Sequence, residues 1–370
     1  MRVVQLLGRS TGGIGTHVVE LSRDLRALGD DVAVVTDRLT ASTFGLPDAL
    51  VAWPGGDGGV RGALRSLRTI RRTAGSADVL HAHGHQAGLV GVVATLGLRT
   101  PVVVSQHNAV LARGWRRRLL DLAQRVVARR ADLVTGASSD LVAEARRLGA
   151  RDARLAAVPS PRVPTLLSTT PADDGERRTL ARDLLRENGI DATDGVRLVV
   201  TVARIAPQKD LDTLVEATGA FVPQAVWVVV GGGDQPLLAR LSQRAGRDGL
   251  PVHFVGPQAD PDAWLRAADV FVLTSRWEAR ALVVQEAMAA GVPVVATDTG
   301  GLRDLVEGAG TLVPVGDAAA VAQAVTAYLG DREARRAAVE AGRERAGSWD
   351  DGEQTARRWH EWYRGMLRMT

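Results

Sequence analysis

Short apolar runs alternate with amphipathic stretches along almost the whole chain, and the alternation stops once and then restarts. Apolar runs of that length belong to strands buried on both faces, and the amphipathic stretches between them to helices covering a parallel sheet. In the first half the pattern predicts strands over Val3–Leu7, Val32–Thr36, Val79–His81, Val102–Ser105 and Leu133–Thr135. Helices are expected over Gly15–Leu28, Arg61–Thr73, Arg116–Arg130 and Ser139–Leu148. The stretch PSPRVPTLLSTTPADDGE, with four prolines among polar residues, then breaks the pattern and reads as a connection between domains. A short helix over Thr179–Asn188 follows it.

The second half repeats the scheme, with strands expected over Arg197–Val202, Val226–Val230, Val252–Val255, Val270–Leu273, Val294–Ala296 and Thr311–Val313. Its helices are Leu211–Ala217, Leu237–Gly246, Pro261–Ala268, Leu282–Ala290, Ala318–Leu329 and Arg332–Ala346, and Glu353–Leu367 closes the chain. A length of 370 residues suits two domains. The expected division is an N-terminal domain over 1–165, a linker region over 166–190, a C-terminal domain over 191–348, and a terminal helix over 349–370. Ligands of such folds bind outside the carboxyl ends of the strands, so a cleft between two such domains is the expected site.

Composition removes several kinds of chemistry. The chain has no cysteine, which excludes disulfides, thiolate zinc sites and cysteine nucleophiles. No run reaches the ~18 uncharged apolar residues of a membrane span, and MRVVQLLGRS reads as a first buried strand, so a cytoplasmic protein is expected. The net charge is only +4, cations and carboxylates are interleaved, and aromatics make up 4%, which argues against a nucleic-acid binder. One basic amphipathic stretch, RGWRRRLLDLAQRVVARR, could lie against an anionic inner membrane face and suits a lipid-linked acceptor.

Three segments carry candidate chemistry. GRSTGGIGTH follows the first strand and opens the first helix, where Gly13 and Gly15 let backbone amides approach a phosphate or sugar. Its spacing is not the Gly-x-Gly-x-x-Gly of dinucleotide folds, which disfavours a dehydrogenase. VARIAPQKD places Arg204 and Lys209 on one loop leaving a strand, where two cations can clamp a departing diphosphate. Lys209 is the only lysine beside many arginines, so a compact ammonium is the group this position selects. Finally, Glu278 and Glu286 lie eight positions apart across the start of an apolar helix. That helix tip points positive charge at a phosphate, Glu278 can accept from sugar hydroxyls, and Glu286 from ribose hydroxyls. Asp210/Asp212 and Asp260/Asp262 match an Asp-x-Asp metal spelling, yet both fall at helix starts, where capping explains them.

With these segments in order, the chain resembles the retaining glycosyltransferases of family 4, which have the GT-B fold. The resemblance rests on the Glu-x7-Glu segment within EARALVVQEAMAAGVPVV, together with GGIGTH, DVLHAHG, VVVSQHNAV, VARIAPQKD, VVVGGGD, HFVGPQAD and GGLRDLV. It implies an α/β architecture of two Rossmann-like domains facing a central cleft, with the last helix crossing back to the N-terminal domain. It implies transfer of a sugar from a UDP- or GDP-linked donor to a hydroxyl acceptor with retention, in cell-envelope glycan, glycolipid or secondary-metabolite synthesis. It implies neither metal nor cofactor.

Residue by residue, the resemblance makes Arg204 and Lys209 the diphosphate clamp, Glu278 the group near the donor sugar and Glu286 the ribose ligand. Gly231 and Gly233 become a turn beside the nucleotide, Val255 and Gly256 the segment that reads the base, and Arg280, Ala281 and Leu282 the donor-side helix tip. His107 becomes the first-domain group that reaches the donor sugar. His83 and Asn108 are candidates on the acceptor side, and acceptor choice is expected in loops 44–59 and 106–115. The family usually has Gly-Phe-Gly after the first glutamate; here Ala279, Arg280 and Ala281 replace it, which bears on the donor sugar. A nucleotide-sugar epimerase or a sugar phosphorylase of similar architecture is the competing reading.

Overall fold

The computed structural model describes every residue except 11, 56–58, 110–113, 194, 220–224 and 369–370. The two loops expected to choose the acceptor therefore lie partly outside the described residues, at 56–58 and 110–113. The chain forms two compact units, Met1–Pro159 with Asp350–Thr370, and Ser160–Trp349.

The first unit begins β1 (Arg2–Leu7), α1 (Gly13–Ala27), β2 (Asp31–Thr36), α2 (Arg38–Thr43), β3 (Leu50–Val51), α3 (Gly59–Gly75) and β4 (Val79–His83). It continues through α4 (His85–Ala94), β5 (Val102–Gln106), α5 (Gly114–Arg130), β6 (Leu133–Gly136), α6 (Ser139–Arg147) and β7 (Ala153–Leu155). The strands form one sheet in the order β3-β2-β1-β4-β5-β6-β7, and every described pairing is parallel. Alternate residues of β1 serve opposite layers: Val4 and Leu6 pack with Leu80, Ala82 and Val104, while Val3 packs with Leu21, Leu25 and Val103.

The second unit runs α7 (Val163–Ser168), α8 (Asp174–Glu187), β8 (Arg197–Val202), α9 (Leu211–Ala217), β9 (Ala225–Val230), α10 (Gln235–Arg247) and β10 (Val252–Gly256). Then come α11 (Pro261–Ala267), β11 (Val270–Leu273), α12 (Leu282–Ala289), β12 (Val294–Thr297), α13 (Gly301–Val306), β13 (Thr311–Val313), α14 (Ala318–Gly330) and α15 (Arg332–Gly347). Its sheet order is β10-β9-β8-β11-β12-β13, again parallel. Phe271 and Leu273 face one core layer with Leu198 and Val200, and Val270 and Val272 face the other with Val199. In both units the strand order reverses beside the first strand, between β1 and β4 and between β8 and β11. That reversal opens the crevice in which doubly wound sheets hold ligands.

The last helix, α16 (Gly352–Leu367), belongs to the first unit. A capping box between Asp351 and Gln354 starts it. Ala356, Trp359 and Tyr363, spaced three and four apart, form its buried stripe against Val3, Leu21, Leu25 and Leu133.

The segment expected as a linker at 166–190 does not run free. Leu166, Ala181, Leu185 and Ile190 are buried in the core of the second unit, and Asp173 and Glu176 form a capping box at α8. In the proline-rich stretch that precedes and overlaps it, Pro164 does not mark a spacer but sits in the first turn of α7, where its missing N–H costs nothing. Among the described residues no helix is long and apolar enough to cross a membrane.

Candidate active site

In the second unit, the loops leaving β8 and β11 flank the point where strand order reverses, and the charged candidates sit on them. Beyond β8 the chain is stitched to the glycine turn after β9: Ile205 N donates to Gly232 O at 2.9 Å, and Asp234 N to Ile205 O at 2.9 Å. A Cβ on Gly231 would stand 2.0 Å from Ala203 O, and one on Gly233 would stand 2.3 Å from Ile205 O. Their φ values of 141° and 153° also lie where L side chains rarely go. These glycines thus hold the Arg204 loop against the carboxyl ends of β8 and β9. Arg204 itself is exposed, with no hydrogen bond or ion pair among the described residues.

A single 3-10 turn, Pro207–Lys209, follows. Asp210 then takes a left-handed conformation at φ 48°. It accepts from Thr213 Oγ1 at 3.0 Å and from Arg276 Nη2 at 2.9 Å. Capping therefore does not explain Asp210, whose carboxylate is used to tie the two loops together. Asp212 pairs with Arg240, whereas Asp260 does cap α11 by accepting from Asp262 N and Ala263 N. Among the described residues neither aspartate pair belongs to a group of three converging ligand side chains.

Lys209 Nζ donates to Glu278 Oε1 at 2.6 Å, with the two side chains only 14% and 12% exposed. The pair is framed from both sides. Gln208 Nε2 donates to Trp277 O at 2.7 Å, and Thr274 Oγ1 reaches Lys209 O at 3.1 Å. Gly301 N donates to Glu278 O at 2.8 Å, and Gly300, at φ 49°, leaves room for that carbonyl, which a Cβ would meet at 2.2 Å. Gly300 and Gly301 belong to the motif GGLRDLV, but only their three-dimensional contact with Glu278 shows their part.

Glu286 lies in α12, buried at 7% exposure. It accepts from Ser160 Oγ at 2.6 Å and from Arg162 Nη1 at 3.2 Å. Burial raises its pKa above the ordinary carboxylate value, opposed by the Ser160 hydrogen bond and the Arg162 charge. Ser160 and Arg162 sit in the proline-rich stretch, which gave no sequence sign of this pairing. Ala281 forms the N-cap of α12 and Leu282 its first residue. The Val255 carbonyl accepts from Gln258 Nε2 at 2.9 Å, and Gly256 O from Gly231 N at 2.9 Å, so both carbonyls of the expected base-reading segment bond within the unit.

Arg280 does not extend outward. Its guanidinium carbon lies 5.1 Å from the centre of the Trp349 ring, and its Nε is buried without a hydrogen-bond partner. Burial lowers its pKa to about 10, with Asp304 acting in the opposite sense. The bulk that replaces the family's Gly-Phe-Gly segment is therefore packed against the second unit's own tryptophan.

In the first unit, the carboxyl ends of the central strands β4 and β5 carry histidines, beside Gln5 of β1. His83 Nε2 meets Gln5 Oε1 at 2.6 Å, and His83 Nδ1 lies 3.3 Å from His107 Nε2, the two rings stacked at 13°. His17, from the second turn of α1, stands 5.9 and 5.6 Å from these rings. His17 closes the motif GGIGTH yet is not distinguishable there as a site residue. His81 bonds Tyr363 Oη at 2.6 Å and Ser105 Oγ at 2.7 Å. Burial lowers the pKa of His17 to about 4 and that of His107 to about 3, the other histidine charges adding to the effect on His107. Asn108 is exposed, and its carbonyl accepts from His85 Nε2 at 2.6 Å. Gly13 opens α1, exposed. Gly15 has a different duty from the one expected of it: its N–H is shared by Gly12 O and Ser10 Oγ, and a Cβ would meet the Phe44 ring at 2.1 Å.

Sequence profiles match both halves: glycosyl transferases group 1 over residues 186–345, and the glycosyl transferase 4-like domain over residues 12–161. A D-inositol 3-phosphate glycosyltransferase of Jonesia denitrificans is 30% identical over 88% of this chain and 84% of its own. This chain belongs to the family 4 glycosyltransferases. An alpha-maltose-1-phosphate synthase of Mycolicibacterium smegmatis is 31% identical to this glycosyltransferase over 90% of each chain. Among solved structures, Anabaena HepE in complex with UDP superimposes with a TM-score of 0.82 at 22% identity, covering 99% of this chain and 100% of that one. Sucrose-phosphate synthase from Thermosynechococcus elongatus gives 0.81 at 23% identity, covering 100% of each. These likenesses establish the GT-B fold for this glycosyltransferase.

Proposed function

We propose that this glycosyltransferase transfers a sugar, with retention, from a UDP- or GDP-linked donor to a hydroxyl acceptor in cell-envelope glycan, glycolipid or secondary-metabolite synthesis. The observation that carries the reading is the Lys209–Glu278 pair at the strand-order reversal, with Arg204, unpaired among the described residues, five residues before the lysine. A nucleotide diphosphate brings two or more negative charges, enough to draw Lys209 from Glu278 and to engage Arg204. Glu278, released from its ammonium, then accepts from donor-sugar hydroxyls. UDP and UDP-glucose bound to Anabaena HepE support a nucleotide-sugar donor.

In this mechanism the bond from the anomeric carbon to the diphosphate breaks as the acceptor oxygen bonds on the same face. The leaving diphosphate oxygen takes the acceptor proton. Arg204 and Lys209 stabilise the charge that develops on the diphosphate, a task a divalent metal performs in other transferases. Glu286 holds the ribose, Gly231, Gly233, Val255 and Gly256 shape the nucleotide side, and His107 contacts the donor sugar. Transfer is therefore expected to run undiminished in excess EDTA, and an absolute need for added magnesium or manganese would remove the clamp from the mechanism. Product analysis separates transfer from the competing reactions: an epimerised donor, or turnover that depends on inorganic phosphate, would contradict it.

We also propose peripheral contact with an anionic inner membrane face through α5. Leu122 and Val126 are exposed on that helix beside the exposed Arg118, Arg125 and Arg129, a mixed stripe suited to a headgroup layer. Co-sedimentation with phosphatidylglycerol vesicles, absent with phosphatidylcholine vesicles, is the expected result.

A further inference from the structure

We propose that the second unit binds a phosphate monoester with a sugar-sized body, in an arginine-lined cavity at the first turns of α8 and α15, apart from the diphosphate clamp. The cavity measures about 530 Å³, more than inorganic phosphate fills and within the range of small-ligand sites. Its wall carries four guanidiniums, those of Arg177, Arg332, Arg335 and Arg336, against two carboxylates, Asp174 and Glu333.

The charges around it do not satisfy one another. Asp174 alone serves three guanidiniums: Arg335 Nη2 at 3.2 Å, Arg332 Nη2 at 3.3 Å and Arg177 Nη2 at 3.8 Å. Arg335 is 5% exposed. Its Nη1 has no hydrogen-bond partner and comes only within 3.7 Å of Asp269 Oδ1, an atom already bonded to Arg197 at 2.9 Å. Arg177 Nε is likewise buried without a partner. Buried guanidiniums with donors to spare are costly, and an added acceptor of negative charge removes that cost. Arg332 and Arg336 have exposed side chains long enough to swing onto an incoming anion. The first turns of both helices add partial positive charge to the same place.

The surplus selects the ligand. Two more guanidiniums than carboxylates line the cavity, which matches the charge of about −1.5 to −2 on a phosphate monoester at pH 7. Its three terminal oxygens suit planar guanidinium forks. Beside the charges, Pro171 packs on Gly291, where an added Cβ would meet Pro171 Cγ at 2.8 Å and Val339 Cγ1 at 3.5 Å. That apolar patch can take the C–H face of a sugar ring. The place is also distinct from the clamp. Arg197 opens β8 and Asp269 precedes β11, so Arg335 lies at the amino ends of those strands. Arg204 and Lys209 follow the carboxyl end of β8, whose six residues span roughly 17 Å.

The test is isothermal titration of the full chain with glucose 6-phosphate, inorganic phosphate and glucose. Saturable one-to-one binding of glucose 6-phosphate is expected, at least tenfold tighter than that of inorganic phosphate, with none of glucose. Arg335→Gln should weaken it at least tenfold, and Lys209→Ala should leave it unchanged. If Arg335→Gln does not fold, Arg332→Glu combined with Arg336→Glu, both exposed, should abolish binding. No saturable binding, binding that survives the arginine variants, or binding lost in Lys209→Ala would overturn the site. Equal affinity for inorganic phosphate would overturn the sugar-sized body. Because the readout is binding away from Lys209, its failure leaves the donor-site proposal untouched.

Discussion

In the proposed mechanism Lys209 is the residue on which the chemistry turns. Its ammonium is held nearly out of solvent beside a carboxylate, and that pair lies where the loops leaving the central strands β8 and β11 meet. Lys209→Ala removes charge stabilisation felt most strongly as the diphosphate leaves, so turnover should fall by roughly 10²–10³-fold, read as release of nucleotide diphosphate. Stability should fall by less than the ~3–5 kcal/mol seen when a fully buried pair is broken, because Glu278 keeps a path to water. Lys209→Arg should recover less than about a tenth of wild-type turnover, since the longer planar guanidinium cannot occupy a 2.6 Å contact framed by Gln208 and Thr274. Glu286 gives a second residue-level test. Its folded pKa lies above the ordinary 4.5, so above pH 4.5 the unfolded chain loses a proton that the folded state still holds. Stability therefore falls as pH rises from 4.5 through the raised value, and Glu286→Gln should flatten that part of the curve in urea unfolding between pH 4.5 and 7.

The elements that position these side chains owe their precision to backbone contacts. Gly231→Ala would force a Cβ to within 2.0 Å of Ala203 O at a φ of 141°. The strain, ~1–3 kcal/mol from the dihedral alone, should lower the urea midpoint and weaken UDP binding together. Burial explains which elements the sequence revealed. The long strands of both sheets stood out because each is an apolar run flanked by helix periodicity. α4 did not, because the side of HQAGLVGVVA that it exposes, with Leu89 and Val93, is as apolar as the side it buries, so no polar face sets a period. The edge strands β3 and β7, two and three residues long, carry too little pattern to read. α7 was hidden by prolines that usually mark loops. The proposed clamp could be assembled from the sequence for a local reason: Arg204 and Lys209 share one loop, and the glutamates share one motif. The histidine cluster could not, because β4, β5 and α1 bring its members together from positions up to 90 residues apart.

At the scale of the molecule, the chain leaves its first unit after Pro159 and rejoins it at Asp350, so α16 completes a core begun by β1. Trp359, 2% exposed, stacks 4.4 Å from His81, and Tyr363 bonds the same ring. Trp359→Ala should destabilise the first unit by about 3–5 kcal/mol in urea unfolding. Nucleotide-diphosphate affinity, which the proposed mechanism assigns to the second unit, should stay within about twofold, and a parallel loss of nucleotide binding would contradict that division of labour. The central claim is that the β8 and β11 loops hold a pyrophosphate, and a crystal structure with UDP bound tests it most directly. The account predicts phosphate oxygens within about 3.2 Å of the Arg204 guanidinium and Lys209 Nζ, with the Lys209–Glu278 contact opened. Phosphates placed away from both cations, with that contact intact, would contradict it.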